Sequence, residues 1–142
     1  MQHNIIRKFF VIGSVLLATL TSCHHDTLED RAAKETKEYT THYCPTPYEN
    51  NTRTDSIVFE KGTRTFHYYY KVNGKLDNQR IFTEKRDTLR AILLNDLKEN
   101  TQNKTFKEHG FSFRYTFSSA SNGNVLLDVT FSRSDYNRGN IK

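Results

Sequence analysis

The chain has no tryptophan, two cysteines, two prolines and six glycines in 142 residues. Without tryptophan, a core of aromatic rings must come from the ten Phe and eight Tyr. Two cysteines give no second Cys pair for a closed zinc site, and no His-Glu-x-x-His motif accompanies them. The few glycines form no phosphate-cradling loop, and no Gly-x-Ser-x-Gly elbow is present. Charge of one sign never runs long. Lys and Arg alternate with acids throughout, so the formal +5 is no nucleic-acid footprint. The longest apolar run, "FFVIGSVLLATL" at 9–20, is too short for a comfortable transmembrane helix, which needs roughly 20 residues.

That run has another use. Arg7 and Lys8 precede it, and "LTSC" ends it. A positive start, an apolar stretch of this length and small residues before a cut describe a secretory signal peptide over 1–22. "LTSC" resembles the bacterial lipobox, in which Cys23 takes the acyl chains and becomes the first residue of the mature chain. The thiol is the lipid's acceptor, and small neighbours expose the bond to be cut. The alternative is an ordinary cleaved signal with a chance cysteine. Removing 1–22 takes Arg7 and Lys8 and leaves a mature charge of +3. Several acyl chains would anchor the protein firmly, since one chain binds only marginally.

The rest reads as a lipidated tether at 23–26, one α+β domain at 27–136 and a loose polar tail at 137–142. Asp26 or Thr27 can cap a helix, with Glu29 or Asp30 three residues on. Leu28, Ala32, Tyr39 and Tyr43 recur at helical spacing, predicting a helix over about 27–42. "CPTP" at 44–47 ends it. A hairpin follows: a strand over 55–60, a turn at Lys61 and Gly62, and a strand over 64–72 with Phe66, Tyr68, Tyr70 and Val72 on one face. Asn73-Gly74 is a turn signal. A second helix is predicted over about 83–100, with Ile81, Leu89, Ile92, Leu93 and Leu97 on its stripe. Gly110 can take a left-handed conformation after a short turn. "FSFRYTFS" at 111–118 alternates without a break, and "VLLDVTFS" returns with Val125, Leu127, Val129 and Phe131 on one face.

The two halves look alike, so the order is α-β-β-α-β-β. The expected product is a four-stranded antiparallel sheet with two helices packed on its aromatic face and the other face open.

At "YCPTPYENNTRTDSIVFEKGTRTFHYYY" the chain resembles a family of small bacterial exported proteins of no assigned activity. Its members show Cys-Pro, an acidic residue, Thr-Arg-Leu-Asp-Ser-Val and then an aromatic strand. Cys44, Pro45, Thr52, Arg53, Asp55 and Ser56 match; Glu49 stands for the usual Asp and Thr54 for the usual Leu. The resemblance covers about 39–136 and implies a fold, with no catalysis. Together with the lipobox it looks like a Bacteroidetes lipoprotein of the outer membrane. In that group acids just after the cysteine mark export to the surface. "CHHDTLED" is only partly acidic, which favours a periplasm-facing anchor. "DTL" at 26–28, "DSI" at 55–57 and "DTL" at 87–89 resemble that group's O-glycosylation signal, and Thr27, beside the tether, is the most reachable.

The candidate chemistry is thin. His42 and Cys44 sit two apart, with His24 and His25 upstream, and a metal reading needs further ligands. Cys44 with His67 offers a nucleophile and a base, but one Cys and several His always offer such a pair. His67, Tyr69, Arg114, Thr116, Asp128 and Thr130 should point away from the aromatic core. They read as a partner surface or as an ordinary solvated face with pairs such as Arg114 with Asp128. No cofactor and no metal are expected. The expectation is therefore a lipid-anchored, non-catalytic binding or assembly module with a protein or glycan partner. The alternatives are an inhibitor or immunity-type protein acting on an envelope enzyme or toxin, and a thiol enzyme through Cys44.

Overall fold

A computed structural model of the chain describes residues 26–137. The predicted signal segment at 1–22, the expected lipidation site Cys23, His24, His25 and the tail from 138 lie outside the described residues. The element order is α1 (Leu28–Tyr43), β1 (Thr52–Glu60), β2 (Thr65–Val72), a single 3-10 turn (Gly74–Leu76), α2 (Gln79–Glu84), α3 (Arg86–Glu99), α4 (Lys104–Glu108), β3 (Ser112–Ser119), β4 (Val125–Phe131) and α5 (Arg133–Tyr136).

The first helix starts where a capping box puts it. Thr27 Oγ1 accepts the Asp30 N–H at 3.1 Å, and the Asp30 carboxylate accepts the Thr27 N–H at 3.3 Å. Lys61 donates to the same carboxylate at 2.7 Å, which ties the helix start to the β1–β2 turn. With Thr27 it pulls the Asp30 carboxyl down to about 2. The inward face of α1 has Ala32 and Thr36 buried and Leu28 partly buried. Tyr39 and Tyr43 do not complete the stripe, since they are 38% and 65% exposed. The last turns of α1 meet the β1 edge through the Thr40 hydroxyl, which bonds both backbone groups of Ile57.

The sheet order is β1-β2-β3-β4. Both hairpins are antiparallel, as expected, but β2 and β3 run parallel, in register from Thr65 with Ser112 to Val72 with Ser119. The sheet is therefore mixed rather than wholly antiparallel. Parallel neighbours need a crossover of a dozen or more residues that carries the chain back to the starting end. Here α2, α3 and α4 do this, where one long helix was expected. The helix count is five, against the expected two, among the described residues. The halves match in element order only. A repeated hairpin carried across the sheet would run β3 along β1, whereas β3 runs with β2 and opposite to β1.

The expected second helix breaks at Lys85, which lets Phe82 drop into a small cluster with Val72, Leu126 and Leu127. Leu97 is buried and Leu93 partly so, while Ile92 is exposed, against the expected stripe. Lys107 on α4 donates to the Leu97, Lys98 and Asn100 carbonyls at 2.6–2.9 Å, closing the last turn of α3. Gly110 follows at φ +76, the left-handed position its sequence context suggested.

The core is a sheet of rings under helices. Phe59, Phe66, Phe111, Phe113, Tyr115 and Phe131 pack with Ala32, Leu97, Phe106 and Tyr136. Tyr68, Tyr115, Tyr70 and Phe117 stack across β2 and β3, neighbours 4.7–6.5 Å apart and within 15° of coplanar. Burial holds the Tyr70 and Tyr115 phenols protonated far above the ordinary range.

Two strand details depart from simple alternation. A bulge opposite Phe117 and Ser118 buries Leu126 and leaves Val125 55% exposed, so Val125 leaves the face it was expected to share. In the first hairpin the left-handed residue is Arg64 (φ 52), not Gly62. Arg64 is held there by Glu29 at 2.8 Å and by the Phe111 ring, 4.2 Å from its guanidinium carbon.

Candidate functional site

Every helix packs on the aromatic face or at the sheet's margins. The opposite face carries the side chains of alternate strand residues. By register, Val58, His67, Arg114 and Thr130 form one row across the four strands, and Ser56, Tyr69, Thr116 and Asp128 form the next. All six residues singled out from the sequence stand on this one face. Glu60, diagonal to His67, belongs with them. In the sequence it stands only as a strand end, although the parity from the buried Phe59 places it outward.

The contacts run diagonally. His67 Nδ1 meets Glu60 Oε1 at 2.9 Å, and its Nε2 meets Thr116 Oγ1 at 2.8 Å. The Tyr69 ring stacks on His67 with centroids 3.9 Å apart. This roofs the histidine, which is 4% exposed, and Thr116 is 8% exposed. These two are therefore supports under the surface, against the expectation that they reach a partner. Arg114 donates to both Asp128 oxygens, at 2.9 and 2.5 Å, the fork geometry of a strong pair. Its guanidinium holds the Asp128 carboxyl below the usual carboxylate range, and the His67 hydrogen bond does the same for Glu60. The pair thus stays charged at neutral pH. Its stabilisation is present above about pH 4 and is lost as pH falls through the lowered Asp128 value. Tyr69, Arg114 and Asp128 are half-buried, and Val58 and Thr130 are exposed. The result is a flat surface of fixed charges around one tyrosine.

Cys44 lies elsewhere, at the C-terminal cap of α1. Burial pushes its thiol up, and its polar neighbours are Thr40 and Asp55. Both ring nitrogens of His67 are taken by Glu60 and Thr116. No Cys44–His67 pair forms, and a thiol with a raised pKa is a poor nucleophile at neutral pH. His42 Nδ1 donates to the Glu38 carbonyl, 2.8 Å away. Among the described residues no three of His, Cys, Asp and Glu converge on a point that could hold a metal. Thr27 is exposed, and its hydroxyl donates to Asp30 at 2.8 Å in the capping box.

The two edges of the sheet differ. On β1 the outward groups of three residues are closed in succession. Thr52 exchanges hydrogen bonds with Glu49, Thr54 with Thr46, and Ile57 with the single hydroxyl of Thr40, all at 2.8–3.0 Å. On β4 only side-chain tips reach the edge: Gln79 to the Leu126 carbonyl and Arg86 to the Asp128 carbonyl, each at 3.4 Å.

This geometry defines a small α+β domain with a one-sided, four-stranded mixed sheet. The chain belongs to the family described as Domain of unknown function (DUF8479), which it matches over residues 27–127. No curated protein matches it in sequence. Solved structures share the fold. A Pseudomonas aeruginosa protein assigned as secreted has a TM-score of 0.62 at 13% identity, over 78% of this chain and 97% of its own. EpsS, the pilotin of the Vibrio vulnificus type 2 secretion system, has 0.59 at 12% identity, over 76% and 90%. AspS, the type II secretion pilotin of Vibrio cholerae, has 0.56 at 12% identity, over 75% and 90%.

Proposed function

We propose that this protein is a lipid-anchored assembly module of the bacterial outer membrane, facing the periplasm, which holds a protein partner against its open sheet face and performs no chemistry of its own. The observation that carries this is the face itself. Its charges are fixed by one another, its histidine is locked between two strands, and no helix covers it among the described residues. Preorganised side chains of this kind lose little entropy on binding. Arg and Tyr are common anchors of interfaces. The fold shared with two secretion pilotins supports an assembly role, and the lipobox at Cys23 supports the anchor. In this reading Cys23 carries the acyl chains and Thr27 is open to glycosylation once its hydroxyl is released from Asp30.

Chemical crosslinking in native envelopes tests it. The lipidated protein should capture one defined protein, and Cys23→Ser should lose most of that capture because its local concentration at the membrane is gone. Equal capture by Cys23→Ser would remove the anchor from the function. Capture of a glycan in place of a protein would replace the partner class.

A further inference from the structure

We propose that the outer edge of β4 takes an extended acidic segment of the partner as a fifth strand. This deepens the assembly reading above and rests on it.

Unequal edges are the first observation. A bare sheet edge is a template for another strand, and proteins normally close it. Here β1 is closed at Thr52, Thr54 and Ile57 by Glu49, Thr46 and Thr40. At β4 no backbone group pairs with the outer edge among the described residues. The Leu126 and Asp128 carbonyls receive Gln79 and Arg86, so they point away from β3. Alternation along the strand aims the Thr130 carbonyl and N–H the same way. Those two side-chain bonds are long, and an incoming backbone would replace them with short ones.

Size points the same way. Four strands of about eight residues span a face of roughly 500 Å². A stable interface takes about 800 Å² from each partner. A partner that rests on the face must reach beyond it. Asp128 and Thr130 already stand on β4, so the face and this edge are one continuous surface.

Charge selects the occupant. Gln79, Arg86 and Arg90 track β4 on its helical side, reaching Leu126, Asp128 and the Phe131 ring in turn. Arg90 is already paired with Asp135 at 3.0 Å, so Arg86 is the cation that gives this edge its charge. The Asp128 carboxylate is held by Arg114 on the other face, and so does not neutralise Arg86. A second copy of this chain would bring a second Arg86 to this edge, and like charges across strands repel. A segment with acids at every second residue would put a carboxylate beside Arg86 while its backbone pairs with β4.

Amide hydrogen exchange on the lipidated protein in detergent tests this. Two synthetic seven-residue probes are used, one alternating Asp with Val and one alternating Lys with Val. The acidic probe should slow exchange in 125–131 by about tenfold or more, and the basic probe should not. Thr130→Pro should abolish the slowing. It removes an outward N–H and leaves the β3–β4 ladder intact, the one place a strand tolerates proline. Arg86→Glu, an exposed change that does not threaten folding, should weaken the acidic probe about tenfold. No slowing with the acidic probe overturns the inference, as does slowing that survives Thr130→Pro. Protection of 125–131 that rises with protein concentration without any probe also overturns it, because the edge then takes a second copy. The same variant separates the two claims. If Thr130→Pro still captures the envelope partner in full, the edge is wrong and the assembly role stands. If the unaltered chain captures nothing, the assembly role itself fails.

Discussion

Phe113→Ala is expected to destabilise the domain by about 3–5 kcal/mol, the range for emptying a large buried aromatic site. Phe113 is 0% exposed at the centre of β3. The Phe66 ring lies parallel to it at 5.4 Å, and the Tyr136 ring meets it edge-on at 6.0 Å. By register it faces Phe66 on β2 and Phe131 on β4, so its loss opens the core at the parallel seam between the two hairpins. These rings are stiff and held from both sides, which limits collapse into the gap. Domains of this size hold about 5–15 kcal/mol in total. The melting temperature should therefore fall by at least about 12 °C, read by circular dichroism. Val125→Ala, 55% exposed, should change stability by about 0.5 kcal/mol or less. A Phe113→Ala protein that melts within a few degrees of the parent would show that the packing around the seam is wrong.

The second large effect is on binding. Arg114→Glu sets a second carboxylate against Asp128 and near Glu60 in place of a forked pair. The stability cost should be modest, about 1 kcal/mol, because the side chains are 40% and 35% exposed and water screens the pair. Partner capture should fall more than about tenfold, since charge reversal at an interface both removes an attraction and adds a repulsion. The double exchange Arg114→Glu with Asp128→Arg separates the two. It rebuilds the pair, so stability should return to within about 0.5 kcal/mol, while the charge pattern shown to the partner stays inverted and capture stays low. Full recovery of capture in the double variant would mean the pair only props the sheet.

Where one strand or one helix decided the outcome, the sequence was readable. The Thr27–Asp30 box set the start of α1, and the period of two put Phe66, Tyr68, Tyr70 and Val72 on one face and His67 and Tyr69 on the other. The pairing of Arg114 with Asp128 followed from the same parity. What failed depends on distant contacts. The direction of β3 relative to β2 turns on how often the chain crosses the sheet between residues 72 and 112, and local periodicity does not count crossings. The Leu126 bulge shifts parity by one residue with no turn signal to mark it. His67 is buried on an open face because Tyr69 leans over it, a matter of rotamers. The closed β1 edge depends on Thr40, seventeen residues from Ile57, placing one hydroxyl against both of its backbone groups.

The most direct test of the open face is site-specific photocrosslinking in native envelopes, with the reactive group placed in turn at Val58, Thr130 and Ile92. All three positions are exposed, the first two on the sheet face and the third on the outer side of α3. The account predicts one shared protein adduct from Val58 and Thr130 and none from Ile92. An adduct from Ile92 alone, or the same yield from all three, would contradict it.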